Sequence, residues 1–180
     1  MPLIYEPAED SYLLSEVLEK EVPPLLEENA NLKILEIGSG SGVQLKTLLH
    51  LGVKMENIFG CDINPDAILH CQNLGFNVIE SDLFTNISGK FDLIIFNPPY
   101  LPLEKKEDEE SQLATTSGMK GSKLMNKFLK KAKYFLNSNG EILILTSTLT
   151  KGVRWGNYSK EMLTTKKLFF EGLEVWRLKV

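Results

Sequence analysis

Between residues 34 and 96, short apolar runs alternate with stretches of helical periodicity, and few folds accept that alternation. Lys33-Ile34-Leu35-Glu36-Ile37 runs into a glycine cluster, and Ile58-Phe59-Gly60-Cys61-Asp62 into Asn64-Pro65-Asp66. Phe76 to Ile79 and Phe91 to Phe96 are two further runs, the last nearly all apolar. Runs this short and continuous are strands buried on both faces, as in parallel sheets. Val43 to Leu51 reads as a helix ended by Gly52, and Asn64 with Pro65 behind it is a helix-start signal. Strand–helix alternation predicts an α/β fold with a doubly wound, mostly parallel sheet. Ligands of such sheets bind beyond the carboxyl ends of the strands.

The flanking segments add elements. Pro7-Ala8-Glu9-Asp10 opens a helix whose Leu13, Leu14, Val17 and Leu18 recur at helical spacing, and Pro23-Pro24 are expected to close it. A polar loop from Leu101 to Ser117 carries the acidic run Glu104 to Glu110, read as solvated or as steering a basic substrate. In the next helix Met125, Phe128, Leu129, Ala132 and Leu136 form one stripe, while Lys123, Lys127, Lys130, Lys131 and Lys133 form a solvated face. Ile142 to Leu145 is a fifth strand. Residues 146–165 give no firm pattern. Phe169-Phe170-Glu171-Gly172 into Val175-Trp176-Arg177-Leu178 reads as two strands joined by a tight turn, an antiparallel edge.

Composition narrows the function classes. The 180 residues suit one domain, 1–180. With 20 Lys and Arg against 24 Asp and Glu, the net charge of −4 counts against a protein that lives on phosphates. No stretch reaches the roughly 18 apolar residues of a membrane span. Cys61 and Cys71 make no disulfide framework, so a reducing, cytoplasmic setting is expected. With His50 and His70 they show no zinc-type spacing, and no metal is expected.

The strand ends carry the chemistry. Glu36-Ile37-Gly38-Ser39-Gly40-Ser41-Gly42 lets backbone turn sharply and approach a ligand. Its G-x-G-x-G spacing is not the G-x-G-x-x-G of a dinucleotide binder, though a plain glycine turn would look the same. Asp62 closes the second run and could accept from a ribose diol, or merely cap a helix. Asp82 could accept from an exocyclic amino group while Leu83 packs on a purine face; a turn acid is the plain alternative. Asn97-Pro98-Pro99-Tyr100 is more specific. Two prolines remove two backbone donors, leaving carbonyl acceptors, and Pro98 holds Asn97 extended. The Asn97 oxygen and the Pro98 carbonyl can then take both protons of a planar NH₂ group, with Tyr100 over its face.

Together these motifs resemble a class I S-adenosylmethionine-dependent methyltransferase over nearly the whole chain. The resemblance implies a Rossmann-like sheet of seven strands, mostly parallel with one antiparallel strand, and helices on both faces. It implies S-adenosyl-L-methionine as cofactor, with Glu36, Gly38 and Gly40 in its loop, Asp62 on the ribose, and Asp82 and Leu83 at the adenine. Asn97, Pro98, Pro99 and Tyr100 become the amino-methylating signature, Asn97 also bordering the cofactor. The signature is shared by adenine-N6 DNA methylases, some guanine-N2 RNA methylases and HemK-type protein glutamine methyltransferases, so it names a chemistry and not a substrate.

The amino-terminal segment narrows the resemblance. Tyr5-Glu6-Pro7-Ala8-Glu9-Asp10-Ser11-Tyr12-Leu13-Leu14 is similar to the opening of the eukaryotic and archaeal HemK branch, whose members methylate the glutamine of the Gly-Gly-Gln loop in class I release factors. There a Thr at the position of Ser11 touches the cofactor, and Ser keeps the hydroxyl. Ser117-Gly118-Met119-Lys120-Gly121 resembles the family's glycine-rich segment, with Ser117 where glycine is usual. Bacterial members carry an extra helical domain ahead of the catalytic one, and from the 180 residues no counterpart is expected here. The branch also implies a partner. Its outer sheet edge, here Asn77-Val78-Ile79-Glu80, is completed by a strand from a small zinc-binding activator protein, with Phe76 and Val78 giving specificity. No proline, lysine or bulge guards that edge in the sequence; shielding by the chain's own loops or helices is the alternative. Competing functions are an adenine-N6 methyltransferase on DNA or RNA and a cofactor-binding scaffold without turnover.

Overall fold

A computed structural model describes residues 4–100 and 122–180. The acidic run Glu104 to Glu110 and the segment Ser117 to Gly121 lie outside the described residues. Helix α1 (Glu9–Glu28) leads into β1 (Ile34–Ile37), α2 (Val43–His50), β2 (Ile58–Asp62), α3 (Pro65–Asn73), β3 (Asn77–Glu80) and β4 (Phe91–Phe96). After the undescribed stretch come α4 (Lys123–Ala132), β5 (Leu136–Ser147), β6 (Ser159–Lys167) and β7 (Gly172–Lys179). The seven strands form one sheet of order β3-β2-β1-β4-β5-β7-β6. β7 runs antiparallel to both its neighbours, and the pairs among β1 to β5 are parallel, as expected for the class I methyltransferase sheet.

Alternating side chains along the central strands serve two cores. Ile34, Ile58, Leu93, Ile95, Leu143 and Val175 face α1, α2 and α3. Leu35, Ile94, Phe96, Ile142 and Ile144 face α4, where Phe128 stacks between Phe84 and Phe96 at ring distances of 5.4 and 4.5 Å. Asn64 caps α3 by accepting from the Asp66 N–H at 3.0 Å, as its sequence predicts.

Four expectations are corrected. Pro23 and Pro24 do not close α1, which continues to Glu28. Their missing N–H groups release the carbonyls of Glu19 and Lys20, both exposed residues that water can serve. Leu136 leaves the helical stripe and starts β5, reaching the same core from the strand. The closing hairpin is formed by β6 and β7, so Phe169, Phe170 and Glu171 lie in its turn and not in a strand. Lys127 is not simply solvated but pairs with Asp82 at 2.6 Å.

Salt links tie the first helix to the last hairpin. Arg177 of β7 pairs with Glu21 of α1, with Glu141 of β5 at 3.4 Å and with Glu161 of β6 at 3.0 Å. Lys166 of β6 pairs with Glu9 at the start of α1.

β3 is the outer strand at one edge of the sheet. The Ser81 N–H donates to the Asp62 carbonyl, so residues 79 and 81 face β2 and residues 78 and 80 face outward. Both outward carbonyls are already bonded: Gln72 Nε2 donates to Val78 at 2.8 Å and Asn86 Nδ2 to Glu80 at 2.9 Å. Against the expectation that Phe76 and Val78 give a partner its specificity, both are buried in the chain's own core, and Ile79 is the exposed apolar side chain of the strand.

Candidate active site

The carboxyl ends of β1, β2 and β4 and the start of α1 enclose a cavity of about 550 Å³. That is ample for a nucleoside-sized ligand. Ser11, Glu36, Gly38, Gly40, Asp62, Asp82, Leu83, Asn97, Pro98, Pro99 and Tyr100 all line it, so every candidate residue from the sequence meets in one place. Tyr5, Asp10 and Gln44 line it too.

The glycine loop sets the floor. Gly38 and Ser39 donate N–H groups to the Cys61 carbonyl at 2.8 and 3.0 Å, which turns the chain hard after β1. Gly38 and Gly40 have φ of +73° and +48°, and a Cβ built on either would meet no protein atom within 4 Å. The space beside them is open and belongs to the cavity. Asp62 is held by two backbone donors, Gly40 N–H on Oδ2 and Asn64 N–H on Oδ1, each at 2.9 Å. Each carboxylate oxygen keeps a further lone pair. The Asp62 carboxylate thus both closes the turn and stays able to accept.

Leu83 is a non-glycine residue with positive φ, 53°. The Ser81 hydroxyl and the Cys61 thiol both donate to its carbonyl, at 2.8 and 3.4 Å, and hold this unfavourable backbone. The result aims Leu83 at the cavity, beside Asp82.

Glu36 is buried in β1, and its Oε2 has no hydrogen-bond partner. Burial lifts its carboxyl well above the usual range, with the Asp62 charge adding to the effect. Asn97 Oδ1 is likewise buried and unpartnered. A buried polar atom without a partner costs about 1–3 kcal/mol, so Glu36 and Asn97, both on the cavity lining, hold hydrogen-bonding capacity that the fold leaves unused.

Asp10 is the polar centre that sequence reasoning missed. It reads as a helix-dipole acid, and only its neighbour Ser11 stood out. Its buried carboxylate accepts from the Tyr5 hydroxyl at 3.1 Å, the Ser11 N–H at 2.7 Å, Asn97 Nδ2 at 3.0 Å and the Tyr100 hydroxyl at 3.4 Å. Burial and the Asp10 charge push both tyrosine hydroxyls far above their usual range, so they stay protonated donors. Gln44 was also missed; its amide donates to the Ser11 carbonyl at 2.8 Å and fixes that end of α1. Thr150 donates to the Tyr100 carbonyl at 3.0 Å, pinning the end of the tetrapeptide.

Asp10, Glu36, Asp62, Asp66 and Asp82 line the cavity, and no Lys, Arg or His does so among the described residues. Such a wall suits a cationic ligand rich in N–H and O–H donors and repels a pyrophosphate. This sheet order and acceptor-lined cavity define the class, an α/β methyltransferase. Residues 11–154 match the family model described as methyltransferase small domain, and the chain belongs to that family. It is 37% identical over 194 residues, 98% of this chain and 93% of the other, to a Methanocaldococcus jannaschii protein named "Putative protein N5-glutamine methyltransferase MJ0928". It is 29% identical to the Schizosaccharomyces pombe "eRF1 methyltransferase catalytic subunit mtq2", over 76% of this chain and 69% of that one. The ribosomal protein L11 methylase of Lactobacillus delbrueckii subsp. bulgaricus shares the fold, with a TM-score of 0.63 at 14% identity over 99% of this chain and 83% of that one. No helix among the described residues is long and apolar enough to cross a membrane.

Proposed function

We propose that the chain transfers a methyl group from S-adenosyl-L-methionine to the side-chain nitrogen of a glutamine, that of the Gly-Gly-Gln motif in a class I translation release factor. One observation carries the reading: Asn97 Oδ1, buried and unpartnered, stands beside two prolines on an acidic cavity wall. The relatives named for glutamine N5 and for eRF1 support the substrate. Glu36, Gly38, Gly40, Asp62, Asp82, Leu83 and Ser11 would hold the cofactor, whose ammonium, hydroxyl and amino donors match their acceptors. When bound, it supplies a methyl group on a positively charged sulfur.

An amide nitrogen is a poor nucleophile, because its lone pair is delocalised. The Asn97 oxygen and the Pro98 carbonyl would accept hydrogen bonds from its two N–H groups and hold the nitrogen oriented for transfer. One of those protons leaves to water once the nitrogen carries the methyl group. Tyr100, held through its hydroxyl by Asp10, borders the same place. The polar groups act by orientation already built into the fold.

The partner belongs to the same proposal. A small zinc-binding activator would add a strand at Asn77 to Glu80, forming a heterodimer. The position of β3 at the sheet edge, exposed Ile79 and the "catalytic subunit" in the fission yeast relative's name support it. An added strand must first displace Gln72 and Asn86 from the outward carbonyls. Two buried thiols, Cys61 and Cys71, fit a reducing cytoplasm.

Radiolabelled methyl transfer tests the function. Purified release factor, DNA and RNA are offered side by side, with and without a Gln-to-Ala change in the Gly-Gly-Gln motif. Label in the release factor alone, lost with that change, is expected. Label only in nucleic acid would establish an adenine methyltransferase instead, and no label in any substrate would leave a scaffold.

A further inference from the structure

Asn97 has an amide whose oxygen and nitrogen are nearly the same size, so its shape alone does not decide which faces the substrate. The choice matters. With the nitrogen inward, the amide would present donors to an incoming NH₂ group, which is itself a donor. Something must select the other orientation.

We propose that Asp10 is the positioning residue that sets the Asn97 amide, turning its nitrogen to the buried carboxylate and leaving its oxygen for the substrate. This rests on the reading of Asn97 as the acceptor for the glutamine NH₂. An ionised carboxylate only accepts. Asp10 Oδ2 lies 3.0 Å from Asn97 Nδ2, and a flipped amide would set oxygen against oxygen at that distance. The other end of the amide is the unpartnered Oδ1. Asp10 cannot turn to relieve the contact. It sits in the first turn of α1, and Oδ1 takes the Ser11 N–H at 2.7 Å, a donor that has no partner within the helix. The Tyr5 and Tyr100 hydroxyls close on the same carboxylate, so the N-terminal segment, α1 and the tetrapeptide share one acceptor. Asp10 makes its selection through Asn97 and needs no contact with the reacting atoms.

An exchange of the two side chains tests this. Asp10→Asn puts an amide beside an amide, so Asn97 can flip to accept from the new NH₂ and withdraw its oxygen. Turnover on the release factor should fall about 100-fold, the scale of a misplaced reacting group, and by clearly more than any loss of cofactor affinity. Asn97→Asp sets two carboxylates against each other and should fall as far. The double variant Asp10→Asn with Asn97→Asp restores one donor–acceptor contact and leaves a carboxylate oxygen facing the cavity. It should regain at least about tenfold over either single variant, a rescue that general loss of structure does not produce. Turnover of Asp10→Asn within about threefold of wild type, or a double variant no better than Asn97→Asp, would overturn the assignment.

A second readout needs neither variant nor turnover. In wild-type protein, nuclear magnetic resonance should show one slowly exchanging proton on the Asn97 side-chain amide, the one bonded to Asp10. Fast exchange of both protons overturns the proposal. If the protected proton is present but wild type methylates no release factor, the contact stands and the functional reading fails. If wild type is active and the rescue is absent, the role of Asp10 alone fails.

Discussion

Lys127 on α4 and Asp82 after β3 are joined at 2.6 Å across the rim of the cavity, with side chains 49% and 55% exposed. The ammonium thus holds one oxygen of the carboxylate that we propose serves the adenine amino group. Exposed pairs of this kind are worth at most about 1 kcal/mol. Lys127→Ala should therefore change cofactor affinity less than about fivefold, upward if the freed oxygen is used, whereas Asp82→Ala should weaken it. Calorimetric titration with S-adenosyl-L-methionine in low and high salt separates the two effects.

Asn97→Ala should remove nearly all turnover while cofactor affinity changes only modestly. The deletion takes away an acceptor used on the reacting nitrogen, a class of loss of about 10²–10³ in kcat. Single-turnover kinetics beside a binding titration checks it, and undiminished turnover would refute the mechanism.

Gly38→Val should abolish cofactor binding. It strains a backbone at φ +73° and fills space that no protein atom occupies. Asp62→Ala is milder, costing about 1.5–3 kcal/mol of binding as a charge-assisted hydrogen bond is lost. It also unties the Gly40 N–H, so thermal stability should fall as well. Tight binding of NAD with none of S-adenosyl-L-methionine would sink the ligand assignment.

Glu36 gives a pH signature. Its folded carboxyl titrates well above 4.5, its ordinary value, because burial disfavours the anion. The fold therefore holds the proton more strongly than the unfolded chain, and this contribution is fully present below the unfolded value. It is lost as pH rises from there through the folded value. Glu36→Gln should raise the melting temperature at neutral pH and lose that advantage in acid. A stability gain independent of pH would contradict it.

The thiols should be inert. Cys61 and Cys71 are fully buried and pushed up to about 12, chiefly by burial. At pH 8 neither should react with an alkylating reagent until denaturant unfolds the chain. Rapid labelling of the native protein would show otherwise.

The β3 edge yields a discriminating experiment. Gln72→Ala with Asn86→Ala frees both outward carbonyls while leaving the cavity untouched. A strand-adding activator should then bind more tightly, and the isolated chain should self-associate more in sedimentation. Unchanged affinity for the activator would move the interface away from β3.

β1, β2 and β4 were legible because burial on both faces demands unbroken apolar runs. β6 was not, because Ser-Lys-Glu-Met-Leu-Thr-Thr-Lys-Lys lies at the sheet edge and is mostly exposed, so no burial pattern marks it. Pro23 and Pro24 misled for a related reason: the carbonyls they orphan face water, where the loss is small. The strand-end acids and glycines could be read because backbone geometry and ligand chemistry act on neighbouring residues. Asp10 could not, since its partner Asn97 is 87 positions away and only the folded chain joins them.

The links from Arg177 to Glu21 and from Lys166 to Glu9 bear on the order in which a ribosome delivers this chain. Tyr5, Asp10 and Ser11 are synthesised well before the β6–β7 hairpin that clamps their helix. Until it arrives, α1 lacks both its salt links and the Leu173 and Val175 side chains that it packs beside. A nascent chain carrying every pocket residue thus still lacks the contacts that brace the start of α1 until β6 and β7 follow.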